Sequence, residues 1–154
     1  MKPEAKQSRY DRIYKQIKEL IIPVQDPQST MATITAVLHN KFKHFFWTGF
    51  YFLNQDRLLV NCYQGPLACL ILKPFIGVCW AAIDKQETIV VPNVHEFAGH
   101  IACDSRSNSE IVVPVWNKEK QIVAVLDIDS REFDAFDEID VKNLQKITQL
   151  IYHL

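Results

Sequence analysis

Ile111-Val112-Val113-Pro114-Val115-Trp116-Asn117-Lys118-Glu119-Lys120-Gln121-Ile122-Val123-Ala124-Val125-Leu126-Asp127-Ile128-Asp129 decides the fold. The run Ile111–Trp116 is β-branched and aromatic, and the polar residues Asn117 to Lys120 read as a turn. Gln121–Asp129 returns as a second strand, apolar almost throughout, as in a strand covered on both faces. The same pattern occurs upstream, where the aromatic run Phe45–Leu53 turns through Asn54-Gln55-Asp56-Arg57 into Leu58–Tyr63. Two hairpins predict a mostly antiparallel sheet of about five or six strands.

Helices flank it. Ser8 to Ile21 carries Tyr10, Ile13, Ile17 and Leu20 on one stripe and stops before Pro23. Asp26-Pro27 reads as an N-cap followed by proline at the first helical position, with Met31, Ile34, Val37 and Leu38 as the apolar face of a second helix. Gln64 to Ile76 is loop-like, Gly77–Ile83 opens a short helix, and Thr88–Val91 is a third strand. A last helix starts near Asp137, with Ile139, Leu144, Ile147 and Ile151 at helical spacing. This order predicts an α+β layered domain with the terminal helices on one face of the sheet.

The chain has 154 residues, of which 48% are hydrophobic, enough for one domain with a proper core. Without a repeat, a low-complexity segment or a linker, residues 1–154 read as a single domain. A net charge of −1 gives no electrostatic case for nucleic acid or an acidic membrane. No apolar run approaches the roughly 20 residues of a membrane span. The charged start, Met1 to Arg9, is followed by no signal-peptide core, so the expectation is a cytoplasmic protein. There, four cysteines suggest redox or metal chemistry more than a disulfide framework.

Between the third and fourth strands lies His95-Glu96-Phe97-Ala98-Gly99-His100-Ile101-Ala102-Cys103-Asp104, running on through Arg106 to Glu110. Loops this long inside a short chain are functional or disordered. Phe97, Ile101 and Ala102 give this one residues with which to pack. A thiol beside imidazoles and a guanidinium can ionise readily, and the thiolate is the nucleophile. The plainer readings are a buried cysteine, loop-packing histidines and a solvated Arg106. A metal on His95, His100 and Cys103 lacks any recognised zinc spacing.

Gly99-His100-Ile101-Ala102-Cys103-Asp104, Ser109-Glu110-Ile111-Val112-Val113-Pro114 and Leu126-Asp127-Ile128-Asp129-Ser130 together resemble the free methionine-(R)-sulfoxide reductases, which are single GAF domains. Trp47-Thr48-Gly49-Phe50-Tyr51, Gln64-Gly65, Ala68-Cys69 and Gly77-Val78-Cys79 extend the match, which runs from about Phe46 to Ser130. The three cysteines keep the family's separations of ten and twenty-four. Three positions depart from the usual pattern. Trp80 stands where glycine follows Gly-Val-Cys, Asn61-Cys62 replaces glycine-proline, and Phe75 replaces a glycine two positions before Gly77.

The resemblance implies a GAF-like fold with a ligand pocket on the sheet face opposite the terminal helices. It implies reduction of free methionine-(R)-sulfoxide without a cofactor. Cys103 would attack the sulfoxide sulfur and become a sulfenic acid, Cys69 would resolve it to a disulfide, and thioredoxin would reduce the pair. Cys79 would bind or resolve in a secondary role, and Cys62 has no counterpart. Asp127 and Asp129 share a strand face and can hold an ammonium with help from Glu110. Glu110 is the expected proton donor, with Asp129 as competitor. Trp47 and Tyr51, also on one face, would wall the methyl and sulfur. Arg106 is a lesser candidate for the substrate carboxylate, and the terminal helices could form a homodimer. Two other classes compete: a GAF module that binds a small molecule without turnover, and a thiol redox sensor.

Overall fold

A buried lysine sets the start of the first helix. The structure, a computed structural model, describes residues 1–100 and 103–152; the packing expected of Ile101 and Ala102 lies outside them. Helix α1 spans Pro3–Ile21, five residues longer at its start than the apolar stripe predicts. The extra turn carries Lys6, 6% exposed, whose ammonium bonds Asp140 and lies 3.0 Å from Asp137 Oδ2. Tyr10 donates its hydroxyl proton to Asp140 Oδ1 at 2.7 Å. At the other end the stripe passes through Ile21, not Leu20, which is exposed, because four-residue steps from Ile13 and Ile17 lead to 21.

Helix α2, Pro27–Lys41, is capped as expected, with Asp26 accepting from the Ser29 N–H at 2.7 Å. The strands β1 (Trp47–Asn54) and β2 (Arg57–Gln64) form the first hairpin. A two-residue strand β3, Ile71–Leu72, lies within the predicted loop and pairs with Leu58 and Leu59. After it come α3 (Val78–Lys85), β4 (Ile89–Val91), β5 (Ser109–Trp116), β6 (Ile122–Ser130) and α4 (Glu138–Gln149). A 3-10 turn, Val94–Glu96, starts the reactive loop. Asp137 caps α4, and Asp140 returns a bond to the Asp137 N–H, so Asp140 serves the cap and the Lys6 pair together.

Among the described residues the six strands form one sheet in the order β3-β2-β1-β6-β5-β4, every pair antiparallel. Alternation divides it into two faces. Phe50, Ile111, Val113, Leu126 and Ile128 pack against α1, α2 and α4, while Trp47, Tyr51, Val112 and Val125 face α3. Strand β6 is covered on both sides, which explains its unbroken apolar run. No described helix is long and apolar enough to cross a membrane.

Removing one partner of a buried ion pair costs about 3–5 kcal/mol. Lys6→Ala is expected to lose about 3 kcal/mol in urea denaturation. Asp140→Ala in addition should cost much less than it does alone, because the stranded carboxylate is already there.

Candidate active site

Strand β1 supplies one wall. The rings of Trp47 and Tyr51 stack at 5.7 Å, and Tyr63 from β2 joins Trp47 at 5.4 Å. Gly49, between them, has no room for a side chain: a Cβ there would lie 2.6 Å from Trp47 Cη2 and press on Tyr63 Cβ. In β6 the facing residues are Asp127, opposite Gly49, and Asp129, opposite Trp47. Glu110 comes from β5, directly across from Asp129. The central strands thus place three carboxyl groups side by side beneath an aromatic wall.

Above them is a cleft with about 660 Å³ of empty space, counting its open mouth. Gly77, at φ +95°, leads into α3 and brings Cys79 to the cleft as a buried free thiol. At the mouth Cys103 is exposed and disulfide-bonded to half-buried Cys69, with Cα atoms 5.6 Å apart. Every predicted site residue therefore lines the cleft or is bonded to one that does.

Burial dominates the electrostatics. Loss of water pushes Glu110 well above the usual carboxyl range, and the charge of Asp129 pushes it further. Asp127 rises through burial and the neighbouring Glu110, and Asp129 through burial and Asp127. The Cys79 thiol is also pushed well up, by burial and then by Asp127 and Glu110. His100 Nε2 lies 3.4 Å from Glu110 Oε2, yet burial lowers the imidazole's pKa. With Glu110 raised as well, both shifts weaken this contact as an ion pair. Asp127 Oδ1 is buried with no hydrogen-bond partner among the described residues. A buried oxygen so placed can accept a hydrogen bond from water or from a bound donor.

Cys79 Sγ and one carboxyl oxygen each of Glu110 and Asp127 lie within 4.8 Å of one another, a donor set that could hold a divalent ion. Burial raises the pKa of the thiol and of both acids, which opposes the deprotonation that a metal ion would require there. The zinc grouping weighed from sequence does not assemble: His95 Nε2 is 2.9 Å from Asn108 Oδ1, away from the cleft.

Other residues sort as follows. Cys62 faces the helices, its Sγ 3.6 Å from Thr35 Oγ1, in keeping with a structural role. Arg106 is an exposed loop residue, as expected, paired at the surface. It forks onto Asp104 at 2.9 and 2.6 Å, holds that carboxyl down to about 2, and lies 4.9 Å from the Phe46 ring centre. Sequence reasoning missed Asp104, Phe46 and buried Ser107, which hydrogen-bonds Asp129. Only adjacency to Cys103 and Trp47 could have flagged the first two. Two departures from the family pattern meet in space, since the rings of Phe75 and Trp80 are 4.9 Å apart. Phe75 sits at φ +61°, where glycine is comfortable and another residue costs about 1–2 kcal/mol.

The layered sheet with its pocket opposite the helices is that of a GAF domain, and the GAF domain family profile matches residues 24–152. GAF domain-containing protein A of Dictyostelium discoideum is 40% identical over 148 residues, covering 96% of this chain and 92% of that protein. The free methionine-R-sulfoxide reductase of Escherichia coli is 40% identical over 119 residues, 77% of this chain and 72% of the relative. The X-ray structure of the Neisseria meningitidis free methionine-R-sulfoxide reductase with its substrate superposes with a TM-score of 0.89. It is 36% identical and covers 95% of this chain and 87% of its own. The chain belongs to the free methionine-R-sulfoxide reductase family of GAF domains.

The raised carboxyls set a stability trend. The folded state keeps protons that the unfolded chain releases near pH 4, so stability falls as pH rises from there toward the folded-state pKa values. Asp127→Asn removes one such group. It is expected to melt several degrees higher than the parent at pH 8, an advantage that shrinks to nothing near pH 4, as read by calorimetry.

Proposed function

We propose that this chain reduces free methionine-(R)-sulfoxide to methionine, with Cys103 as nucleophile. The observation that carries this is the Cys69–Cys103 disulfide at the mouth of a cleft floored by three buried carboxyls. The carboxyls offer a subsite for a free ammonium, with Asp127 Oδ1 awaiting a donor. A peptide nitrogen, an uncharged amide, gains little there, and this supports selection of the free amino acid. Trp47 and Tyr51 would receive the methyl and the sulfur.

In the reaction, the Cys103 thiolate bonds to the sulfoxide sulfur while Glu110, whose pKa burial raises above the usual carboxyl range, gives a proton to the oxygen. The hydroxyl then passes from the substrate sulfur to Cys103 Sγ as the bond between the two sulfurs breaks, so that methionine leaves as the thioether and Cys103 is left as a sulfenic acid. The Cys69 thiol displaces that hydroxyl as water and forms the disulfide. Asp129, less deeply buried than Glu110, serves the ammonium. Cys79, kept protonated by its surroundings, suits substrate contact better than attack.

Return to the dithiol requires a reductant, for which we take thioredoxin. Leu67, Leu70, Ile71, Phe75 and Ile76 are all exposed around Cys69, an apolar collar that suits a docking protein. Leu20, Ile22 and Val24, exposed at the end of α1, similarly support a homodimer through the terminal helices.

Thioredoxin-coupled NADPH oxidation is expected with free methionine-(R)-sulfoxide and not with the S epimer or a peptide-bound R-sulfoxide. Cys103→Ser should abolish it, and turnover surviving that change would sink the assignment. Glu110→Gln should lower kcat about 10²-fold or more. Cys69→Ser should release one methionine per protein and then stop, with a sulfenic acid trapped by dimedone.

A further inference from the structure

Beyond Cys69 the chain turns through Lys73-Pro74-Phe75-Ile76 toward α3. Proline at the second position and a φ of +61° at the third mark a type II turn, which favours glycine where Phe75 stands. The other non-glycine residues of positive φ among those described are polar. A bulky side chain persists in that region only where its surroundings hold it. What holds Phe75 is Trp80: the rings lie 4.9 Å apart at a tilt of 51°, within the range of favourable aromatic pairs. Trp80 is the fixed partner, 3% exposed and packed in the apolar cluster under α3, whereas Phe75 is 62% exposed. The contact therefore fixes the turn more than it builds the core.

The segment it fixes is the one that carries Cys69. Upstream of the turn, the Val60 N–H donates to the Leu70 carbonyl at 3.0 Å, and β3 pairs with Leu58 and Leu59. Downstream, Ile76 lies so near Gly99 that a Cβ on that glycine would come 2.9 Å from Ile76 Cγ2. Gly99 stands four positions before Cys103, so the two cysteine-bearing segments also meet through a contact that is not covalent.

We propose that Phe75 and Trp80 clasp the Cys69 segment over the cleft and are positioning residues for the resolving step. The proposal rests on the reductase reading of the same cleft. In that step the Cys69 sulfur attacks Sγ of the Cys103 sulfenic acid, and the disulfide forms as the sulfur–oxygen bond breaks. The hydroxyl leaves as water with the proton that the Cys69 thiol gives up. The rate and the equilibrium of this closure both depend on the effective concentration of one sulfur at the other. A two-residue strand leaves the turn beyond it free to swing, and the aromatic pair removes that freedom. Such a pair shifts an equilibrium by about two- to tenfold.

Equilibration with reduced and oxidised dithiothreitol, with thiols counted by maleimide mass shift, reads the constant for forming Cys69–Cys103. Phe75→Ala deletes the ring but keeps a Cβ at the same φ, and should lower that constant about fivefold. Phe75→Tyr keeps the ring and should stay within about twofold of the parent. Trp80→Leu should weaken the disulfide to a similar degree as Phe75→Ala, with the second change adding little to the first. After one equivalent of methionine-(R)-sulfoxide, the dimedone-reactive sulfenic acid should last about fivefold longer in Phe75→Ala. A constant or a lifetime that Phe75→Ala leaves unchanged, an equal loss in Phe75→Tyr, or losses at the two positions that add in full, overturns the proposal. If the sulfoxide is not reduced at all, the reductase reading falls. The dithiothreitol equilibrium involves no sulfoxide and still decides whether the clasp exists.

Discussion

Three carboxyl groups on adjacent strands, shut away from water, repel one another, and their surroundings are arranged around that repulsion. Glu110, Asp127 and Asp129 sit on β5 and β6 at the centre of the sheet, where neither strand can move to separate them. Protons relieve the repulsion in the free protein, and a cation relieves it in a complex. Ligand charge and proton inventory are therefore linked: in the proposed reaction, an arriving ammonium would let one acid ionise while another keeps the proton for the sulfoxide oxygen. Gly49 and the stacked rings of Trp47 and Tyr51 shape the space over this floor.

The two faces of the sheet divide the work. On the helical face, ordinary apolar packing and the Lys6–Asp140–Tyr10 group hold α1 against α4. On the other, a smaller apolar cluster under α3 supports the buried carboxyl groups of the cleft, one of them with an unpartnered oxygen among the described residues. A central strand serves both, and β6 shows it in alternation: Ala124, Leu126 and Ile128 toward the helices, Val125, Asp127 and Asp129 toward the cleft.

That alternation is why so much could be read in advance. Both hairpins followed from residue type and turn chemistry, and the shared face of Asp127 and Asp129 followed from their two-residue spacing on a strand. The failures have physical causes. Lys6 belongs to a residue type that almost always faces water, so an apolar stripe cannot count it, and α1 was begun too late. Strand β3 is two residues long and exists only through its pairing with Leu58 and Leu59, a tertiary fact absent from its own sequence. Asp104 and Ser107 lie in a loop without period, so their turn toward the cleft had no local signal. The family motifs brought Cys69 and Cys103 together, and the folded chain bonds them.

The two thiols hang from opposite margins of the sheet. Cys69 precedes β3, the outermost strand on one side, and Cys103 follows β4, the outermost on the other, at a sequence separation of 34. Closing a loop of that size restricts the unfolded chain and is worth about 2–4 kcal/mol to the fold. Each catalytic cycle thus alternates between a strapped and an unstrapped protein. A cell that runs short of reductant accumulates the strapped form, so idle molecules wait in the state that best resists unfolding.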